Sequence, residues 1–61
     1  MAHLRYRVFN EGEYWLWELV DGGVTIERGK SLTDVKARAN AISRALSLTG
    51  RSPAPVNPSV A

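Results

Sequence analysis

Glu11-Gly12-Glu13-Tyr14-Trp15-Leu16-Trp17-Glu18-Leu19-Val20-Asp21-Gly22 holds one alternating apolar run between two tight-turn signals. A two-residue hairpin loop sets its flanking residues opposite each other and thereby fixes every pair beyond them. With Asp21-Gly22 as the second loop, the predicted partners are Val20 with Gly23, Leu19 with Val24, Glu18 with Thr25, Trp17 with Ile26 and Trp15 with Arg28. With Glu11-Gly12 as the first loop, they are Asn10 with Glu13, Phe9 with Tyr14, Val8 with Trp15, Tyr6 with Trp17 and Leu4 with Leu19. The two hairpins share their middle strand. Both put Trp15, Trp17 and Leu19 on the face that also receives Leu4, Tyr6, Val8, Val24 and Ile26. A three-residue first loop would turn Arg5 and Arg7 inward and bury unpaired charge, which excludes it.

Beyond the third apolar run, Ser31 to Asp34 carries helix-start signals. Thr33 is the expected N-cap with Ser31 as the alternative, Asp34 suits the positive end of the helix dipole, and Leu32 is placed to staple against Ala37. Val35, Ala39, Ile42 and Leu46 then recur at spacings of four, three and four, one narrow stripe of a 3.6-residue helix, and that stripe is expected to face the sheet. Small residues at Ala39 and Ala45 suit a helix lying close over two indoles, with Lys36, Asn40, Ser43, Arg44 and Ser47 as a solvated flank. Gly50 is placed to end the helix in a left-handed conformation. The fold class is therefore α+β: a three-stranded antiparallel β-meander in the order 1-2-3, with one C-terminal helix packed on one face. Residues 1–50 form this single domain, and residues 51–61, which contain all three prolines, are expected to be a disordered tail.

A chain of 61 residues is one domain at most, and a chain of this size buries only about 60% of the surface it exposes when unfolded. Without cysteine there is no disulfide framework and no thiolate metal site. Self-association is then the economical support for so small a core. The first residues lack the apolar run of a signal peptide, and no segment approaches the roughly 20 apolar residues of a membrane span, so a soluble, cytoplasmic protein with no membrane partner is expected. A net charge of +2 does not demand a polyanionic partner, although a pI near 9.5 permits one.

Groups for catalysis are sparse. The single histidine, His3, lies at the amino end without a positioned carboxylate or serine. Glu11 and Asp21 belong to turns, Glu13 flanks one, Glu18 and Glu27 are expected to face outward, and Asp34 sits at the helix start; none forms an acid/base or metal pair. Gly22-Gly23 and Gly29 match neither a phosphate-binding loop nor a dinucleotide fingerprint. The expectation is a protein that is not an enzyme, with no catalytic residue, no cofactor and no metal.

The outward sheet face is less bland. Phe9, Tyr14 and Leu16 would leave a cluster of large apolar groups in water, rimmed by Arg5 opposite Glu18 and by Arg7 near Glu27. Such a patch marks a contact surface, so Phe9, Tyr14, Leu16, Arg5 and Arg7 are the candidate interface, with the outer strand edges as a rival route to a dimer.

Tyr6-x-Val8, a glycine turn, Trp15-x-Trp17-x-Leu19, Asp21-Gly22, Ile26 and a helix entered after Leu32-Thr33 with Ala39 and Ile42 together resemble one repeat of the YegP-like family of small uncharacterised bacterial proteins. Members of that family often carry the unit twice, so the resemblance implies that a single-copy chain makes the equivalent assembly as a homodimer. It implies no activity, cofactor or substrate. Two function classes follow from the residues: a homodimeric protein-interaction module, and, as the alternative, nucleic-acid binding through the outer sheet face by Arg5 and Arg7 with Lys30, Lys36 and Arg44 on the backbone. Outward-facing Glu18 and Glu27 would oppose phosphate, which favours the first.

Overall fold

The computed structural model describes residues 3–56. Strands β1 (Arg5–Glu11), β2 (Tyr14–Asp21) and β3 (Val24–Ser31) form an antiparallel meander, followed by helix α1 (Asp34–Thr49) and a two-residue strand β4 (Ala54–Pro55). The sheet order is β3-β2-β1-β4, four strands rather than the three expected. β4 runs parallel to β1, with the Ala54 N–H donating to Leu4 O at 3.3 Å and the Val56 N–H to Tyr6 O at 2.8 Å. Pro55 falls between the two donors, on a sheet edge, where a missing N–H costs nothing. The amino-terminal half of β1 is thus covered by a segment expected to belong to the tail, and residues 57–61 of that tail lie outside the described residues.

Both hairpin loops sit one residue later than expected. In the first, Glu11 pairs with Tyr14 around Gly12-Glu13, and Gly12 takes the positive φ of 68° that the first central position of a type II′ turn requires. In the second, Asp21 pairs with Val24 around Gly22-Gly23, at φ 60° and 86°, the two left-handed residues of a type I′ turn. A loop of Asp21-Gly22 would force a side-chain-bearing residue into that region. Each shift moves the pairing by two residues, so the inward parity of β1 and β2 survives: Tyr6 meets Leu19 and Val8 meets Trp17.

β3 does not keep its expected parity. Between Val20↔Thr25 and Leu19↔Glu27 the register slips by one, a β-bulge that leaves Ile26 unpaired. Beyond it Glu27, Gly29 and Ser31 lie opposite Leu19, Trp17 and Trp15, while Arg28 and Lys30 oppose Glu18 and Leu16. Val24 and Ile26, expected inside, are exposed. The bulge has a steric cause legible at Gly29: a Cβ there would sit 2.5 Å from the Trp17 indole. Without the bulge the observed loop would set Arg28 opposite Trp17, facing inward beneath the helix.

The core is Leu4, Trp17, Leu19, Ala37, Ala41 and Ala45, with Tyr6, Val8 and Trp15 packed half-buried against it. The helix therefore meets the sheet through Ala37, Ala41 and Ala45, not through Val35, Ala39, Ile42 and Leu46. At 100° per residue the two stripes differ by about 130°. The reason is space: two indoles already occupy the layer, and only alanine side chains admit the helix above them. The β3 side of α1 is tied by polar contacts, Asn40 Nδ2 donating to Ser31 Oγ at 3.0 Å and Arg44 Nε lying 2.5 Å from Glu27 Oε2. These two helix residues, expected as solvated flank, are therefore part of the helix–sheet contact.

The helix ends are as expected. The Lys36 N–H donates to Thr33 Oγ1 at 3.1 Å, and Gly50, at φ 75°, donates its N–H to Leu46 O at 2.7 Å. Thr33→Ala is expected to cost about 1 kcal/mol, since it strands one of the first-turn donors; a urea unfolding midpoint read by far-UV circular dichroism checks it. Leu32 does not staple against Ala37; it is 76% exposed. No helix among the described residues is long and apolar enough to cross a membrane.

Candidate functional site

Two surfaces remain available on opposite sides of the sheet. On the outer face, the structure brings together all five residues expected there. Phe9 opposes Leu16, both half-buried, and Tyr14 lies next along β2, 43% exposed. Arg7, rather than Arg5, opposes Glu18, and its Nε lies 2.7 Å from Glu18 Oε1; Arg5 opposes Val20.

Glu18 is itself 7% exposed. A carboxylate so covered needs charged partners to offset its desolvation, and it has two, since Arg28 Nη2 lies 3.6 Å from Glu18 Oε2. Lys30 Nζ sits 4.9 Å from the Tyr14 ring centroid, a cation–π contact. Arg28 was not expected on this face, Lys30 was expected only as a backbone contact of the nucleic-acid reading, and Glu27 was expected here. The bulge exchanges them: Glu27 now lies on the helix side, against Arg44. Gly29, an isolated glycine inside a strand pattern, was the available signal, because such a residue marks a bulge or a close approach.

The second surface was missed altogether. With the alanines turned down onto the indoles, Val35 (65% exposed), Ala39 and Leu46 (44%) lie open to solvent and Ile42 is half-buried. Leu32 extends the same row beyond the N-cap. Beside this row, Tyr6, Val8, Trp15, Asp34, Val35 and Arg38 line a groove of about 310 Å³ between α1 and the inner face of β1 and β2. Polar groups here are few: Asp34 Oδ1 accepts the Val35 N–H at 2.8 Å, and Arg38 is exposed.

Among the described residues no group of three or more His, Cys, Asp or Glu is placed to hold a metal ion. His3 is exposed just ahead of β1. No family model, no curated protein and no solved structure matches this chain.

Proposed function

We propose that the chain is a non-enzymatic protein-interaction module that works as a homodimer, two copies packing antiparallel along the Val35-Ala39-Ile42-Leu46 stripe. One observation carries this: an apolar row at the four-three-four spacing of a helix–helix seam stands on the solvent side of α1. Each large apolar side chain contributes about 1.5–3 kcal/mol when fully buried. A core in which only Leu4, Trp17 and Leu19 exceed alanine leaves much of the stabilisation to be found at that row.

Self-complementarity favours a second copy over an unrelated helix. Across a two-fold axis between Ala39 and Ile42, Ile42 meets the partner's Ala39, and Leu46 meets the partner's Val35, large against smaller in each layer. The antiparallel sense also separates the two copies' Lys36 residues by about 13.5 Å along the seam. A parallel pair would gather both at one end, at an electrostatic cost. The resemblance to YegP-like proteins, whose members often carry the unit twice, implies a homodimer without naming its surface. The helix seam replaces the outer-face patch as the preferred dimer surface and leaves that patch free.

Sedimentation of the intact chain at high micromolar concentration is expected to give twice the protomer mass. Val35→Glu with Leu46→Glu is expected to halve it while the protomer keeps its circular dichroism, because both positions lie outside the core. A parent chain that sediments as a monomer sinks the proposal. So does a dimer that survives this double substitution but dissociates with Phe9→Asp, which would return the interface to the outer face.

A further inference from the structure

We infer that the outer sheet face binds single-stranded nucleic acid, with Arg5, Arg28 and Lys30 on phosphates beside Tyr14 as a stacking surface for a base. The inference rests on the outer face alone and is independent of the helix seam, which lies across the sheet from it.

The bulge at Ile26 creates this face. It sets Arg28 and Lys30 on the same face as Arg5 and Arg7, across β2 from them, and removes Glu27 to the helix side, where Arg44 neutralises it. Four cations then share the face with Glu18 and, at the hairpin end, Glu11. Glu18 is covered between two guanidinium groups, so it presents little negative surface to a ligand. The Arg7 and Arg28 side chains nevertheless stay 51% and 69% exposed. A guanidinium has five N–H donors, so those not directed at Glu18 remain free for phosphate oxygens.

Aromatic groups decide the kind of polyanion. Tyr14 lies open, with an ammonium group held over its ring, and half-buried Phe9 and Leu16 continue an apolar floor beside it. A base of any identity that stacks on this ring takes the place of the Lys30 ammonium, which then follows the backbone with the neighbouring cations. An unpaired strand, unlike a duplex, can turn a base out toward Tyr14 while its phosphates reach Arg5, Arg28 and Lys30. A pI near 9.5 adds a favourable long-range field.

The test is fluorescence anisotropy on the intact chain, with a short labelled oligo(dT), the matching oligo(U), a duplex of equal length, and vesicles containing phosphatidylserine as separate arms. Single strands are expected to bind more tightly than the duplex or the vesicles. Their affinity is expected to fall with salt at a log–log slope of about −0.7 per neutralised phosphate. Arg28→Ala with Lys30→Ala is expected to flatten that slope by about 1.4, two phosphates' worth. Tyr14→Ala is expected to weaken binding about fivefold or more and leave the slope unchanged. All three side chains are exposed, and Arg7 still holds Glu18 when Arg28 is exchanged, so circular dichroism should show the fold intact. Val35→Glu with Leu46→Glu should still bind, which separates this site from the dimer seam. The inference is overturned by the absence of any anisotropy change at low salt, by tighter binding of duplex or vesicles, or by affinity indifferent to the Arg28 and Lys30 exchanges.

Discussion

Trp17→Ala is expected to cost about 3–5 kcal/mol, the largest loss of any single truncation in this chain. A domain of 61 residues has a total stability of roughly 3–9 kcal/mol at about 0.05–0.15 kcal/mol per residue. The substitution therefore removes a third of that stability at the least and all of it at the most. Trp17 is the bulkiest of the six core residues and lies between the alanines of α1 and the backbone of Gly29. Above it and on the β3 side nothing can refill the space: Ala37, Ala41 and Ala45 have no side-chain atoms beyond Cβ, and Gly29 has none at all. The cavity would stay open, and the cost of a core truncation rises with the cavity left behind. Thermal and urea unfolding at fixed protomer concentration measure it, since self-association would raise the apparent stability at higher concentration. A midpoint within about 1 kcal/mol of the parent would mean that Trp17 is not the centre of the core.

Gly29→Ala is expected to cost about 1–3 kcal/mol by overpacking, although alanine is ordinarily better than glycine in a strand by about 0.5–1 kcal/mol. The sign is decided by one contact. The added Cβ would lie 2.5 Å from Cε2 and Cζ2 of Trp17, and the indole is hemmed in by the helix alanines, so it cannot step aside cheaply. Backbone strain plays no part, because Gly29 is not among the positive-φ glycines. A double-mutant cycle isolates the cause. In a Trp17→Leu background the same Gly29→Ala change should become neutral or stabilising, which gives a coupling energy in the range of about 0.5–3 kcal/mol. Strict additivity of the two substitutions would remove the indole as the reason for glycine at this position.

These two residues also show where sequence reading stops. The partnership of Trp17 with Leu19 on the inner face was legible, because alternation on β2 and the loop spacing agree on parity, and a two-residue error in register leaves parity unchanged. The caps were legible too: Thr33 and Gly50 act through local backbone hydrogen bonds that need only their immediate neighbours. The bulge was not. An extra residue at Ile26 costs a ladder bond, and what favours it is the fit of Gly29 under an indole twelve residues away in the chain. With it went the assignment of Glu27, Arg28 and Lys30 to their faces, and so most of the charge pattern of the outer surface.

The helix repeats the point from the other layer. Periodicity picked out one apolar row on α1, Val35, Ala39, Ile42 and Leu46, and assigned it to the sheet, whereas the row that meets the sheet is Ala37, Ala41 and Ala45. By itself, then, the sequence determined what is set by alternation and by nearest neighbours: an α+β chain, the inward parity of β1 and β2, and the two ends of α1. Only the tertiary structure decided which helix row meets the sheet and which face receives each charge of β3. Those choices depend on the volume left between layers once two indoles are in place, and that volume is a property of the assembled layers that no local spacing encodes.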